Sequence, residues 1–352
     1  MSFGESVLLS TSEVSFVDKT CRTLFLKCLK HLPLGNLTIQ ENGDTIATFG
    51  NEQDELSAVV NIKDVKAYRS LLLGGSVGAG EAYMDGHWDS NDVTAVVQVF
   101  ARNLPTLDEW ENKFKWLTMP VMKLQHFTRR NTTSQAKKNI EAHYDLGNKL
   151  YTRFLDGTMM YSSAVYPDPN ASLNEAQNHK LKTICDKLKL NENDHLLEIG
   201  TGWGGLAVYA AKHYGCKVTT TTISEEQYAW AQDWIVREQL QDKVTLLKKD
   251  YRLLEGKYDK LVSIEMIEAV GRSFLGNFFE KCSSLLKENG LMLLQSITID
   301  DRRYESYSKS VDFIQKYIFP GGFLPSQYQL NAHLKKHSDM MIRDLHDIGI
   351  DY

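Results

Sequence analysis

Beyond Ile140 short apolar runs alternate with amphipathic stretches, and this alternation constrains the fold more than any other feature of the chain. Strand candidates fall at His195–Ile199, Lys217–Ile223, Val244–Lys248, Lys260–Ile264 and Leu291–Ile297, separated by helical stretches such as Leu206–Tyr214, Glu225–Gln239 and Phe274–Lys287. Short apolar strands alternating with helices point to an α/β fold with a parallel, doubly wound sheet covered on both faces. No internal repeat interrupts the pattern.

The first part of the chain reads differently, as a small α+β module over residues 1–111. Val14, Phe16, Val17, Cys21, Leu24, Phe25, Cys28 and Leu29 recur at helical spacing, which predicts one amphipathic helix over 15–32. Leu37–Gln40 and Thr45–Phe49 flank Glu41-Asn42-Gly43-Asp44, and Asn-Gly between two such runs predicts a hairpin. The glycine-dense stretch Leu71–Trp88 lacks the lysine-serine/threonine ending of a phosphate-binding loop, so tight turns are expected there.

Composition shifts again over residues 112–139. Lys113, Lys115, Lys123, Arg129, Arg130, Lys137 and Lys138 are interleaved with Phe114, Trp116, Met119, Met122 and Phe127, with no acidic residue after Asn112. Such a segment suits an interface with anionic lipid headgroups, where each cation is worth ~1 kcal/mol; it equally suits a solvated linker packed by one side on the following domain, 140–352. Both readings stand.

With 42% hydrophobic and 24% charged residues the chain is neither disordered nor fibrous, and its net charge of −5 argues against nucleic acid as a partner. Five cysteines at wide spacing form no CxxC pair and no cluster of zinc spacing, so reduced thiols, a cytoplasmic protein and no metal are expected. Neither an export signal nor a membrane-spanning run is apparent.

The richest local signal is Leu196-Leu197-Glu198-Ile199-Gly200-Thr201-Gly202-Trp203-Gly204-Gly205-Leu206, a strand, an acid, a glycine turn and a helix start. A dinucleotide site would place an acid at the tip of the second strand, about 20 residues on, but Thr221-Thr222-Ile223-Ser224 stands there instead. The segment resembles the first motif of class I methyltransferases that use S-adenosylmethionine (SAM), in which glycines admit the cofactor to the backbone. Glu198 is expected to orient the turn or the cofactor. Asp250-Tyr251-Arg252 follows the third strand, where such folds hold adenine, and Asp250 is its expected partner. In this fold Met341–Ile350 is expected to supply a sixth strand, with the chain ending before the final one.

Further segments extend the likeness: Ala142-His143-Tyr144-Asp145-Leu146-Gly147-Asn148, Tyr161-Ser162-Ser163-Ala164, Thr222-Ile223-Ser224-Glu225-Glu226-Gln227, Met266-Ile267-Glu268-Ala269-Val270-Gly271 and Lys316-Tyr317-Ile318-Phe319-Pro320-Gly321-Gly322. Together with the glycine turn they resemble cyclopropane-fatty-acyl-phospholipid synthases and the related mycolic acid cyclopropane synthases. Gly80-Glu81-Ala82-Tyr83-Met84-Asp85-Gly86 looks like the lipid-binding N-terminal module of the phospholipid enzymes. The resemblance covers roughly residues 60–352. It implies methyl transfer from SAM to a cis double bond of a phospholipid acyl chain, with a carbocation stabilised by aromatic and carboxylate groups and a proton removed by bound bicarbonate. Tyr161, Ser162, Gly200, Gly202, Thr222 and Gln227, with Ile223 and Tyr251 beside them, are then expected at the cofactor. Glu268, Ile297 and Tyr317 are expected around the reacting carbon.

Three positions depart from the family pattern: Ser163 replaces a cysteine, Gln295 a histidine and Glu265 a glycine. All belong to the usual bicarbonate environment, and an added carboxylate disfavours a bound anion by like-charge repulsion. Either Glu265 replaces bicarbonate as the base, or the cation proceeds to a methylene or methyl branch; a structural carboxylate at a strand end is the plainer alternative. The expected partners are unsaturated acyl chains at an anionic membrane surface, reached peripherally from the cytoplasm, and a second copy of the chain. A methyltransferase for a soluble substrate and a non-catalytic lipid- or SAM-binding protein are the competing readings.

Overall fold

The computed structural model describes residues 15–107, 109 and 147–352. Two compact units divide the chain, Met1–Phe127 and Thr128–Tyr352. The basic-aromatic stretch 112–139, Val14 and Ala142–Leu146 lie outside the described residues.

In the first unit α1 (Phe16–Leu29) begins at Ser15, whose hydroxyl accepts from the Val17 N–H, and buries Cys21, Phe25 and Leu29. Strands β1 (Asn36–Glu41) and β2 (Asp44–Gly50) form the expected hairpin. Asn42 and Gly43 both take positive φ (51° and 93°), as a two-residue turn matched to strand twist requires. β3 (Ser57–Ile62) runs parallel to β1, and the sheet order is β2-β1-β3-β4 with β4 at Trp88–Asp89. Leu37, Ile39, Val60 and Ile62 form its buried face.

The glycine-dense stretch is not a set of tight turns. It forms most of α2 (Lys66–Met84), broken only at Gly75, where φ 53° and ψ −139° are non-helical. Leucine, alanine, tyrosine and glutamate around the glycines favour helix, and packing secures it: a Cβ on Gly78 would stand 2.1 Å from the Ser70 carbonyl oxygen. Asp92 then caps α3 (Val93–Arg102) by accepting from the Ala95 N–H.

The described part of the second unit opens with the short helix α4 (Asn148–Tyr151) and with α5 (Leu173–Lys187), started by a reciprocal Ser172/Glu175 capping box. There follow β5 (His195–Ile199), α6 (Gly205–Tyr214), β6 (Lys217–Thr222), α7 (Glu225–Arg237), β7 (Val244–Lys248), β8 (Tyr258–Ile264), α8 (Leu275–Leu285), β9 (Leu286–Gln295), α9 (Asp301–Tyr307) and α10 (Gln327–His337). All ladders of the sheet β7-β6-β5-β8-β9 are parallel.

Strand periodicity divides the core into two layers. Leu196 joins the layer containing Leu181, Leu206 and Ile235, whereas its neighbour Leu197 joins Leu261, Phe278 and Leu285 on the other face. The chain leaves β5 toward β6 on one side and later returns to β8 on the other. This places a topological switch at the carboxyl end of β5, where open α/β sheets bind ligands.

No strand forms over Met341–Ile350, so among the described residues this sheet has five strands. Arg343, Asp344, His346 and Asp347 interrupt the apolar residues of that stretch, Asp344 pairs with Lys187 on α5, and Met341, Leu345 and Ile350 are 74%, 68% and 98% exposed. No helix among the described residues is long and apolar enough to cross a membrane, and the cysteines are free thiols.

Candidate active site

Parallel strands bring the expected residues to one edge. Gly200 and Gly202 follow β5, Thr222 ends β6, Asp250 follows β7, Glu265 and Glu268 follow β8, and Gln295 and Ile297 lie at or just past the end of β9. The turn after β5 holds Gly200, Gly202 and Gly204 at φ 99°, 55° and 98°, conformations that side chains rarely adopt. It is tied to β6 by the N–H groups of Gly200 and Thr201, both donating to the Thr221 carbonyl at 3.2 and 3.0 Å.

Glu198, only 3% exposed, supports this turn from beneath. The Thr220 hydroxyl donates to its carboxyl at 2.6 Å, and Thr201 from the glycine turn closes the chain by a hydrogen bond to the Thr220 hydroxyl. Burial pushes the Glu198 carboxyl up to about 8, with the Thr220 bond opposing that shift. Glu198 therefore orients the turn through two hydroxyls. At β6, the Thr222 hydroxyl donates to the Gln227 side-chain oxygen at 2.8 Å, and Ser224 caps α7; half-buried Ile223 lies between them.

Tyr161 belongs to an aromatic group with Tyr151, Phe154 and Trp203, its ring centroid lying 5.3 Å from Tyr151 and 6.5 Å from Trp203. The Trp203 indole N–H donates to Asn148 at 2.7 Å, joining the glycine turn to α4. Ser162 is gripped by α5: Lys180 Nζ donates to its hydroxyl at 2.7 Å, and Gln177 Nε2 to its carbonyl at 2.9 Å.

The three departures from the family pattern form a single hydrogen-bonded group. Glu265 Oε1 accepts from the Ser163 backbone N–H at 3.0 Å and from Gln295 Nε2 at 2.8 Å; the same amide reaches the Ser163 carbonyl at 3.2 Å. The Glu265 N–H in turn donates to the Gln295 carbonyl at 2.8 Å. Ser163 contributes its main chain, since its hydroxyl turns to the Ala164 carbonyl. Glu265 holds φ 46°, a left-handed conformation that costs a side-chain-bearing residue roughly 1–2 kcal/mol and that a glycine, the residue the resemblance implies here, adopts freely.

Glu268 is held differently. Its Oε1 accepts from the Ile297 N–H at 2.6 Å and the Ser296 hydroxyl at 3.0 Å, while Oε2 is out of solvent with no hydrogen-bond partner among the described residues. Burial pushes this carboxyl up to about 7 against the hydrogen bonds that favour its ionised form. Ile297 thus serves through its backbone.

Tyr317 lies in the π-helical turn Ile314–Ile318, 42% exposed, packed on Phe313 at 5.0 Å and with the Lys316 ammonium 5.1 Å from its ring centre. Asp250 is bound by Arg252 through Nε and Nη2 at 2.9 and 2.5 Å, while Tyr251 packs edge-on against Phe278. The structure thus joins Glu265 to Ser163 and Gln295, and Glu268 to Ile297, directly; Asp250 reaches the same edge already paired.

These residues fit SAM. Among the described residues a Cβ built on Gly202 meets nothing within 4 Å, so a ligand can approach the turn there, and the buried Glu268 Oε2 has no donor, as suits a group meant for positive charge. Sequence reasoning missed Gln177, Lys180, Thr220 and Ser296. For Lys180 a signal existed: Ala176, Lys180, Leu181 and Ile184 share the buried face of α5, where a lysine is out of place.

Residues 131–352 match the family model described as mycolic acid cyclopropane synthetase. The tuberculostearic acid methyltransferase UfaA1 of Mycobacterium tuberculosis is 33% identical over 328 residues, covering 91% of this chain and 75% of that protein. The cyclopropane-fatty-acyl-phospholipid synthase of Escherichia coli is 37% identical over 298 residues, covering 84% and 74%. The solved structure of mycolic acid cyclopropane synthase CmaA1 complexed with SAH and CTAB is similar with a TM-score of 0.55 and 29% identity, over 59% of this chain and 76% of that one.

Proposed function

Since the chain belongs to the mycolic acid cyclopropane synthetase family, and is a SAM-dependent methyltransferase acting on lipids, we propose that it alkylates the cis double bond of an unsaturated phospholipid acyl chain with Glu265 as its built-in base. The observation that carries this reading is the Ser163–Glu265–Gln295 group, in which a resident carboxylate takes up donors that a bound anion would otherwise use.

SAM, when bound, supplies an electrophilic sulfonium methyl; the glycine turn, Tyr161, Ser162, Thr222 and Gln227 would hold it. With SAM in place, the alkene π pair would form the new bond to that methyl carbon as the methyl–sulfur bond broke, its pair remaining on the departing thioether sulfur, and the neighbouring alkene carbon would be left cationic. Glu268, fixed at Oε1 by Ser296 and Ile297, keeps Oε2 to face the positive charge. Glu265 removes a proton from the added methyl, and the freed C–H pair closes on the cationic carbon to give a cyclopropane. If a hydride first shifts from the methylated carbon to its neighbour, removal of the same methyl proton gives a methylene branch instead. The 33% identity to a tuberculostearic acid methyltransferase over most of the chain favours keeping this second product in view.

The test uses vesicles of unsaturated phospholipid and SAM with a trideuterated methyl. Either product retains two of the three deuterons, and mild hydrogenation before mass spectrometry distinguishes methylene from ring. Unchanged lipid with intact SAM binding sinks the proposal and favours a non-catalytic role. We place the reaction at an anionic membrane surface through the stretch 112–139: neutralising Lys123, Arg129 and Arg130 should weaken vesicle binding by ~1 kcal/mol per charge and leave SAM affinity unchanged.

A further inference from the structure

We propose that Lys180 is a positioning residue of this site, whose buried ammonium fixes the Tyr161–Ser163 segment and sets a positive charge one peptide unit away from the Glu265 carboxylate that this segment binds. The inference rests on the reading of Glu265 as the base.

Lys180 is 1% exposed, in the middle of α5, among Ala176, Leu181 and Ile184. It makes no ion pair among the described residues; its nearest partner is neutral, the Ser162 hydroxyl at 2.7 Å, and the Ser162 carbonyl lies at 3.4 Å. Burying an ammonium without a paired carboxylate costs several kcal/mol, and a leucine would fill such a helix position without that penalty. Fastening the segment does not by itself require a charge, because Gln177, one turn earlier, already donates to the Ser162 and Met160 carbonyls at 2.9 and 3.4 Å. What Lys180 adds is positive charge: its ammonium lies 3.4 Å from the Ser162 carbonyl, the other end of the peptide unit whose N–H, that of Ser163, donates to Glu265, and the second carboxylate acting on it is Asp156.

Asp156 is already engaged by Thr158, whose hydroxyl and N–H donate to it at 2.7 and 3.1 Å. Glu265 is reached one residue beyond the Lys180 contact, through the Ser163 N–H at 3.0 Å. One side chain therefore sets both the position of that N–H and the local field at the carboxylate. Burial lowers the Lys180 ammonium to about 8, which leaves it mostly charged near neutral pH.

The test is a pair of variants measured in two backgrounds, with kcat from vesicle turnover and SAM affinity from calorimetry. Lys180→Met should lower kcat roughly 10-fold or more while SAM affinity stays within about threefold, because Gln177 still holds Ser162. In the Glu265→Gln background the same substitution should change kcat by less than about twofold, since the carboxylate it serves is gone. Lys180→Gln retains a donor to Ser162 without charge and should fall with Lys180→Met; it also carries the test should Lys180→Met fail to fold. Equal losses in both backgrounds, or full turnover in Lys180→Gln, overturn the inference and leave the base assignment standing. Full turnover in Glu265→Gln alone overturns the base assignment and the inference with it.

Discussion

At the β5–β6 half of the carboxyl edge the polar side chains are bonded to one another: Glu198 with Thr220, Thr220 with Thr201, Thr222 with Gln227. At the β8–β9 half, two carboxyls three positions apart are each held at Oε1, Glu268 Oε2 is left without a donor among the described residues, and Glu265 occupies a left-handed backbone conformation. The first half is a cradle whose acid is withdrawn into the core and used as a brace. The second retains an unsatisfied acceptor and backbone strain, costs that persist where chemistry needs them. A cofactor already carrying its reactive group asks only for a shaped surface, whereas developing charge on a lipid substrate asks for acceptors kept in reserve.

The strongest way to break this comparison is to spoil the cradle. Gly202→Glu fills the open space beside the turn and forces a side-chain-bearing residue to φ 55°, so SAM affinity should fall by about 100-fold or more in calorimetric titration. Unchanged affinity would remove the β5–β6 turn from the cofactor site. The next largest effect concerns the other half. Glu265→Gly combined with Gln295→His introduces the residues that the resemblance implies at two of the three altered positions, and turnover should then rise about 10-fold or more with added bicarbonate while the unaltered protein does not respond. A double variant indifferent to bicarbonate would mean that the resident carboxylate is not what displaced the anion.

The two halves were also unequally legible. Strand β5 and its glycine turn follow from apolar run length and punctuation, and β5 and β7 fall at the expected residues. Ser163, Glu265 and Gln295 stood out singly as departures, but only tertiary pairing across 102 and 30 residues shows that they form one unit. Lys180 was overlooked because lysine reads as surface, although its helical position argued otherwise. In the glycine-dense stretch before Trp88 glycine marks turns locally, while close packing at Gly78 decides for helix. At Met341–Ile350 an apolar count suggested a strand, and the interspersed charges took it to the surface instead.

A third effect is read in stability. Glu198, at about 8 in the folded protein against 4.5 ordinarily, keeps a proton in the folded state that the unfolded chain has already released, and Glu268, at about 7, does the same over a narrower range. Their contribution is complete below about pH 4.5 and is lost as pH rises through the folded values, so stability should decline toward pH 8. Glu198→Gln, which keeps an acceptor for Thr220 and cannot ionise, should flatten that decline in denaturant titrations repeated across pH. An unchanged slope would show that Glu198 is ionised in the fold, and the contrast between a brace kept neutral and an acceptor kept in reserve would be lost.

The smallest effect isolates backbone strain from chemistry. Glu265→Gly and Glu265→Ala both delete the carboxylate and its bonds to Ser163 and Gln295, so the two variants differ chiefly in their tolerance of φ 46°. Glycine enters that region freely, and alanine pays the steric clash of Cβ with the following carbonyl, so the glycine variant should be more stable by roughly 1 kcal/mol, less the entropy glycine loses on folding. Urea midpoints at fixed m-value measure the difference. Equal midpoints, or an alanine variant more stable than the glycine one, would mean that the loop relaxes once the carboxylate is gone. The left-handed conformation would then be imposed by the hydrogen bonds of Glu265 itself, not by the strand β8 that delivers it.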